Sequence, residues 1–232
     1  DDTLFLLGGL HGYDGEFDVL EYAGLFLNGS FGTSPDISQM GPSIFPTSAM
    51  AIRGRADLDN GVYVLVAAYD GIPGDPDQPR RTQLSLKRDD GMFYALELGS
   101  TEGDPAEQGY YKIGVGGWYN TAHVADAVTG QARESNGGVY AIAERAMTDR
   151  LGLFLQLGTA QADRNQIESY VGAGLNVRNI FQDEDVIGLA MVHARNGSDF
   201  REANGPVDRA ETAVELTYQC ALSEWLTIQP NL

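Results

Sequence analysis

The chain has 232 residues, of which 15 are Lys or Arg and 33 are Asp or Glu, so its formal net charge is −18 at pH 7. This excess of acid excludes proteins that bind nucleic acid by neutralising many phosphates. The single cysteine excludes an internal disulfide framework and a cysteine-based zinc site, and no apolar run approaches the ~20 residues of a membrane helix.

Alternation of apolar and polar residues, rather than helical periodicity, dominates the chain. In residues 92–99 the even positions are Met92, Tyr94, Leu96 and Leu98, and a polar Glu97 lies between them. A period of two with one apolar face is typical of β-strands. The pattern predicts about twelve strands, at residues 3–10, 17–27, 47–55, 61–69, 91–99, 110–119, 138–146, 151–158, 168–178, 185–195, 211–220 and 225–232.

The predicted strands are long, and short and long connections alternate between them. Strands of ~9–11 residues are the length that a tilted membrane-spanning strand requires. An up-and-down meander with tight turns at one end and long loops at the other is the pattern of an outer-membrane β-barrel. We therefore predict an all-β, transmembrane, antiparallel up-and-down β-barrel in preference to a soluble all-β domain.

Glycine is enriched: it accounts for 29 of the 232 residues, or about one in eight, against ~7% in average proteins. Several glycines, among them Gly114, Gly116, Gly172 and Gly174, fall on or beside the predicted polar face. Glycine allows a strand to bend or to face water without a side chain. The simpler interpretation of any one of them is a bend in the barrel wall.

Eight stretches resemble the carbohydrate-selective porins of the OprB type. They include "EFDVLEYAGLFLNGSFGTSPDISQMGPSIFP" at 16–46, "AAYDGIPGDPDQP" at 67–79 and "DDGMFYALELG" at 89–99. "YKIGVGGWYNT" at 111–121, "GGVYAIAERAM" at 137–147 and "ESYVGAGLNVRNIF" at 168–181 follow. "IGLAMVHARNG" at 187–197 and "ETAVELTYQCALSEWLTIQPNL" at 211–232 complete the set. The resemblance covers almost the whole chain in order.

This resemblance implies a barrel of sixteen strands in the outer membrane of Gram-negative bacteria, which passes sugars such as glucose by passive diffusion. Residues 1–232 would form a single, partial barrel domain, because the family's first strands and closing strand have no counterpart here. The expected partners are sugars, outer-membrane lipid and lipopolysaccharide. A homotrimer, which is common among porins, is one possible assembly. No enzymatic activity is expected. The alternative is a soluble β-rich carbohydrate-binding module.

Selectivity in such a channel depends on the groups that line its narrowest part. Residues 28–46 form a long connection of the kind that many porins fold into the lumen, and it is rich in hydroxyl, amide and carboxylate groups. Arginine can donate paired hydrogen bonds to vicinal hydroxyls. The predicted constriction residues are Asp36, Ser38, Gln39, Arg53 and Arg55. The alternative is an ordinary external loop beside two arginines at the periplasmic end.

Alternation also places several charged residues on the inward face of the predicted strands. Glu97, Lys112, Glu144 and Glu215 are predicted as residues of the lumen wall, and Gln156 and Glu168 share that pattern. Each is more simply a water-facing wall residue than a sugar contact.

An acidic cluster in one long loop suggests a calcium site. Asp70, Asp75 and Asp77 supply the oxygen ligands that calcium prefers. Their spacing does not match an EF-hand, and the neighbouring prolines favour a stiff turn instead. No other cofactor is predicted. Acidic loops of this kind, including one with Asp199, Glu202 and Asp208, would lie among lipopolysaccharide phosphates and could bind bridging divalent cations.

Overall fold

A computed structural model describes residues 3–74, 90–133 and 135–232. Its main feature is one antiparallel sheet in which every long strand pairs with its neighbour in sequence. The strands are β1 (Thr3–His11), β2 (Ala49–Asp57), β3 (Val62–Asp70), β4 (Met92–Glu102), β5 (Tyr111–Asn120), β8 (Asn136–Ala146), β9 (Leu151–Ala160), β10 (Ile167–Arg178), β11 (Val186–Asn196), β12 (Ala210–Ser223) and the short β13 (Leu226–Ile228). A separate hairpin of β6 (Val124–Ala125) and β7 (Ala132–Arg133) lies in the connection between β5 and β8.

The helical content is small. Two short α-helices, α1 (Pro35–Ser38) and α2 (Ser198–Asn204), lie in connections, together with single 3-10 turns at Ala23–Leu25, Gly29–Phe31 and Asp59–Gly61. No helix in the described part of the chain is long and apolar enough to cross a membrane.

The two faces of the sheet differ in chemistry. The outer face is a continuous apolar surface, on which Leu6, Leu96, Val115 and Met191 are 77%, 46%, 58% and 49% exposed. The inner face carries buried aromatic and polar side chains, and residues 12–48 pack against it. The inward-facing core therefore consists of the sheet and this segment, which we call the inner loop.

The prediction of an all-β, antiparallel meander is confirmed. Eleven of the predicted strands are present with ends shifted by a few residues, although the last is reduced to β13. The predicted strand at 17–27 is wrong, because these residues belong to the inner loop. Asp18 has a φ of +59°, in the left-handed region, which an extended strand does not accommodate.

The sheet is open in the described residues. β1 pairs on one side with β2, and β13 pairs on one side with β12. The connections 12–48 and 197–209, and the described residues that follow β3 and β5, lie at one end of the sheet, and tight turns such as 58–61 and 147–150 lie at the other. The inner loop thus starts at the end of the long connections and reaches toward the end of the turns.

Candidate pore constriction

The inner loop lies against the inner face through a row of buried apolar side chains. Tyr13, Phe17, Tyr22, Phe31 and Ile37 are each at most 2% exposed. Phe31 meets Phe154 of β9 edge to face at 6.2 Å between ring centroids, a favourable geometry for aromatic pairs. Burial of these side chains explains why the loop folds inward instead of extending into solvent.

Two glutamates of the wall bind the loop backbone in the same way. Glu144 on β8 accepts hydrogen bonds from the backbone N–H groups of Glu21 and Tyr22 at 3.1 and 2.9 Å. Glu215 on β12 accepts from the N–H groups of Leu27 and Asn28 at 2.7 and 2.9 Å. Each carboxylate therefore satisfies two consecutive backbone N–H groups of the loop with charge-assisted bonds, which are stronger than neutral ones.

A third glutamate, Glu97 on β4, binds the start of the loop. It accepts from the Asp18 N–H at 3.0 Å, from the Tyr63 hydroxyl at 2.8 Å and from the Tyr140 hydroxyl at 2.6 Å. Glu97 is fully buried. Its three donors supply the hydrogen bonds that a buried carboxylate needs in place of water.

Side-chain amides and Lys112 bind the loop carbonyls. Gln156 on β9 donates to the carbonyl of Gly32 at 3.0 Å, and Asn176 on β10 donates to the carbonyl of Tyr22 at 2.8 Å. Lys112 on β5 donates to the Val19 carbonyl at 2.7 Å. Anchors on six strands of the wall thus hold both the donors and the acceptors of the loop backbone.

Glycines of the wall leave room for loop side chains. A Cβ at Gly152 would lie 2.6 Å from the Tyr22 ring, and a Cβ at Gly188 would lie 2.6 Å from Leu25. A Cβ at Gly158 would collide with the Asp36 carboxyl group. At these three positions the absence of a side chain permits the close approach of the loop. A bend of the strand is not needed to explain these glycines.

The two predicted arginines on β2 lie beside the first residues of the loop. Arg53 forms an ion pair with Glu16, which also lies 3.2 Å from His11. Arg55 pairs with Asp57 at 2.9 Å and lies over the ring of Tyr63 at 4.8 Å from its centroid. Both guanidinium groups therefore face the inner side of the sheet.

A cavity of about 290 Å³ remains between the loop and the wall. Its lining includes Glu16, Glu21, Arg55, Tyr63, Tyr110 and Lys112. Carboxylates, a guanidinium, an ammonium and aromatic rings are the groups that donate to, accept from and stack on a sugar. The wall and the loop together line this polar cavity, which is the candidate for the constriction predicted from the sequence.

The three loop residues predicted from the sequence occupy different environments. Asp36 is fully buried, and neither of its carboxylate oxygens has a hydrogen-bond partner in the described residues. Gln39 bonds both the N–H and the carbonyl of Ile167 at 2.9 and 2.8 Å. Ser38 is exposed. A role for these residues in sugar contact stays a prediction.

The wall residues predicted by alternation all lie on the inner face. Glu97, Glu144 and Glu215 are buried beneath the loop, and Lys112 reaches it. Sequence reasoning missed Glu16 and Glu21, which line the cavity. Glu21 lies within the predicted strand at 17–27, and Glu16 lies next to it. The sequence contains no signal that marks either residue as part of a cavity lining.

Burial changes the acidity of two loop carboxyl groups. It raises the pKa of Asp18 from its ordinary value of 3.8 to about 7, against the lowering effect of hydrogen bonds from Gln156 and Ser34. Burial also raises the pKa of Asp36 from 3.8 to about 6. Both groups therefore titrate close to neutrality.

The predicted calcium site falls mostly outside the described residues, which contain Asp70 but neither Asp75 nor Asp77. Asp70 ends β3 and is 8% exposed. In the described ranges, no three His, Cys, Asp or Glu side chains converge to hold a metal ion. Calcium at this loop stays a prediction.

Comparison with known proteins identifies the family. Residues 1–232 match the family described as "Carbohydrate-selective porin, OprB family". "Porin B" of Pseudomonas aeruginosa is 26% identical over 229 residues, covering 81% of this chain and 50% of the relative. The "High pH structure of Pseudomonas putida OprB" has a TM-score of 0.81 at 20% identity and covers 98% of this chain and 63% of the solved one.

The chain spans about half the length of the curated relative that it matches and less than two thirds of the solved chain. The match to the solved structure supports the fold, an antiparallel porin sheet. The match to the family extends over every residue of the sequence. The chain belongs to the OprB family of carbohydrate-selective porins.

Proposed function

We propose that the protein containing this chain is a channel of the bacterial outer membrane through which sugars such as glucose diffuse passively. The observation that carries this proposal is the inner loop, which packs over a polar cavity on one face of a sheet whose other face is apolar. An apolar outer face suits contact with lipid and lipopolysaccharide acyl chains, and a polar inner face suits a water-filled lumen.

The lining of the constriction supports sugars as the solute. A sugar carries many hydroxyl groups, each able to donate and to accept, and one ring face of weak polarity. Glu16 and Glu21 can accept, Arg55 and Lys112 can donate, and Tyr63 and Tyr110 offer ring surfaces. Donors and acceptors replace the water that the sugar loses, so that passage requires no chemistry and no cofactor.

The alternative of a soluble carbohydrate-binding module is less favourable. Leu4, Leu6, Ile52 and Leu96 are between 46% and 77% exposed, and similar residues continue across the sheet. Exposed apolar surface costs about 25 cal/mol per Å² in water, and a patch of this extent marks contact with another apolar phase. A protein that stays monodisperse without detergent would favour the alternative.

Single-channel recording in planar bilayers tests the proposal. The whole protein should form open channels, and added glucose should reduce their current because the sugar occupies the constriction. Channels that conduct ions but show no current block by glucose or by its short oligomers would contradict sugar passage. The absence of channels in bilayers would contradict the porin function itself.

An Arg55→Ala variant should bind glucose more weakly in the channel. A hydrogen bond to a charged group contributes about 1.5–3 kcal/mol, so the concentration that gives half-maximal block should rise roughly tenfold or more. The measurement is the block titration, and Arg209→Ala is the matched control, because Arg209 is exposed in the connection 197–209. Equal block in Arg55→Ala and wild type would remove Arg55 from the constriction.

A further inference from the structure

Three buried carboxyl groups meet where the inner loop touches the wall. Asp18, Asp36 and Glu97 are 2%, 0% and 0% exposed. In the part of the chain that the structure describes, no Lys, Arg or His forms an ion pair with any of them. Burying an ionised carboxylate without a compensating partner is costly, so the cluster requires another source of compensation.

Hydrogen bonds compensate two of the three groups. Glu97 accepts from three donors, as described above. Asp18 accepts from Gln156 Nε2 at 2.9 Å and from the Ser34 N–H at 3.1 Å. Asp36 accepts from none, and the hydroxyls of Ser34 and Tyr13 are also buried without a partner in the described residues.

Protonation of Asp36 would explain this pattern. A protonated carboxyl group carries no charge and has an O–H that donates. The Ser34 hydroxyl lies beside Asp36 and Asp18 without a hydrogen bond of normal geometry, and Tyr13 lies within electrostatic reach of both. Protonation of Asp36 would therefore remove the uncompensated charge and supply a donor to a place that has only unpaired polar atoms.

We propose that Asp36 and Asp18 form a proton-binding latch, which fastens the inner loop to the wall at mildly acidic pH and loosens it at alkaline pH. This inference goes beyond sugar passage, because it concerns how the loop is held and not which solute it admits. It requires no second ligand and no movement of the strands.

Burial and, for Asp18, the neighbouring negative charge raise the pKa of the latch carboxyl groups, and the hydrogen bonds from Gln156 and Ser34 oppose this only in part. Among the described residues, the titratable and polar groups that face the latch are acidic or neutral, and they come from the loop, β4, β8, β9 and β10: Tyr13, Ser34, Glu97, Tyr140, Gln156 and Tyr170. A second or third negative charge in this cluster is repelled by those already present. Deprotonation thus weakens the docked state.

The pH window follows from the two raised pKa values. With a pKa of about 6 for Asp36 and about 7 for Asp18, the docked loop binds more protons than a released loop whose carboxyl groups titrate near 3.8. Docking therefore weakens as the pH rises from about 4 to about 7, and the loss is complete above that range.

Hydrogen–deuterium exchange of the whole protein in detergent tests the latch without any sugar. Protection factors, which correct for the intrinsic pH dependence of exchange, should fall at least about tenfold within residues 12–48 between pH 5 and pH 8. Protection in β9 and β10 should stay constant. Constant protection of the loop across this range would overturn the proposal.

The Asp36→Asn variant fixes the neutral state, because an amide is uncharged and donates. It should keep at pH 8 much of the protection that the wild type has at pH 5, whereas Asp199→Asn in exposed α2 should behave like the wild type. A pH response in Asp36→Asn as large as that of the wild type would contradict the latch.

Infrared difference spectra of the wild type provide a second measurement that does not depend on a variant folding. A carboxylic-acid C=O band should be present at pH 5 and should disappear with a midpoint between about 5.5 and 7.5. No such band, together with loop protection that falls on addition of EDTA at constant pH, would assign the compensation to a metal ion and overturn the proposal.

Discussion

Channels of a Glu144→Ala variant are expected to conduct more current than wild-type channels and to admit larger solutes. Glu144 accepts from the N–H groups of Glu21 and Tyr22 and from the Tyr110 hydroxyl, the last at 2.6 Å. The substitution leaves these three donors without their acceptor. Glu144 itself is only 3% exposed, so water has little access to replace it. Two of these bonds belong to the inner loop, and at about 1.5–3 kcal/mol for a bond to a charged group the loss of docking free energy is about 3 kcal/mol or more.

Single-channel conductance and the exclusion limit for neutral polymers measure this effect. Glu144→Gln should give an intermediate result, because it keeps one acceptor oxygen but loses the charge. Glu102→Ala is the matched control, since Glu102 is exposed at the end of β4. If Glu144→Ala folds and conducts as the wild type does, Glu144 is not an anchor of the loop.

A Gly152→Val variant is expected to displace the loop by steric conflict, with the same direction of effect on conductance. A Cβ at residue 152 would lie 2.6 Å from carbon atoms of the Tyr22 ring. The ring cannot move freely, because the Tyr22 hydroxyl donates to the Pro105 carbonyl at 2.9 Å and Asn176 holds the Tyr22 carbonyl at 2.8 Å. Overpacking of this kind costs about 1–3 kcal/mol.

The barrel wall should tolerate the substitution, since valine is favourable in strands. Heat stability in detergent should therefore change little while the conductance rises. Gly8→Val is the control, because the nearest atom to a Cβ there is the Ala51 carbonyl oxygen at 4.0 Å. Gly152→Val channels with wild-type conductance and wild-type glucose block would contradict the close packing of Tyr22 on β9.

The sheet was accessible to sequence reasoning because a strand with one apolar and one polar face has a period of two in its own residues. The same rule gave the inward direction of Glu97, Glu144 and Glu215. It could not give their partners, since they bind backbone N–H groups of the inner loop, and a backbone N–H has no signature in the sequence.

Strand prediction from apolar patterning failed at the inner loop for a physical reason. Phe17, Leu20, Tyr22 and Phe26 are apolar because they pack on the wall, and a segment rich in such residues favours a strand prediction although their spacing is irregular. Only the left-handed backbone of Asp18 and the 3-10 turns distinguish the segment. Gly152, Gly158 and Gly188 are likewise explained by residues far away in sequence, which a local pattern does not report.

The docking of residues 12–48 inside the sheet is the central claim, and a designed cysteine pair tests it most directly. The carboxyl group of Asp36 occupies the space of a Cβ at Gly158, so cysteines at 36 and 158 would lie within the range that a disulfide bridges. Cys220, the single native cysteine, is replaced by serine. A pair at Val171 and Leu157, which are register partners on β10 and β9, controls for oxidation.

The measurement is the yield of the 36–158 disulfide in the whole protein, determined by mass spectrometry after mild oxidation in membranes. The account predicts a high yield, with the loop locked in place and the channel still narrow. A 36–158 pair that remains reduced in folded protein, while the 171–157 pair oxidises, would contradict the docked loop.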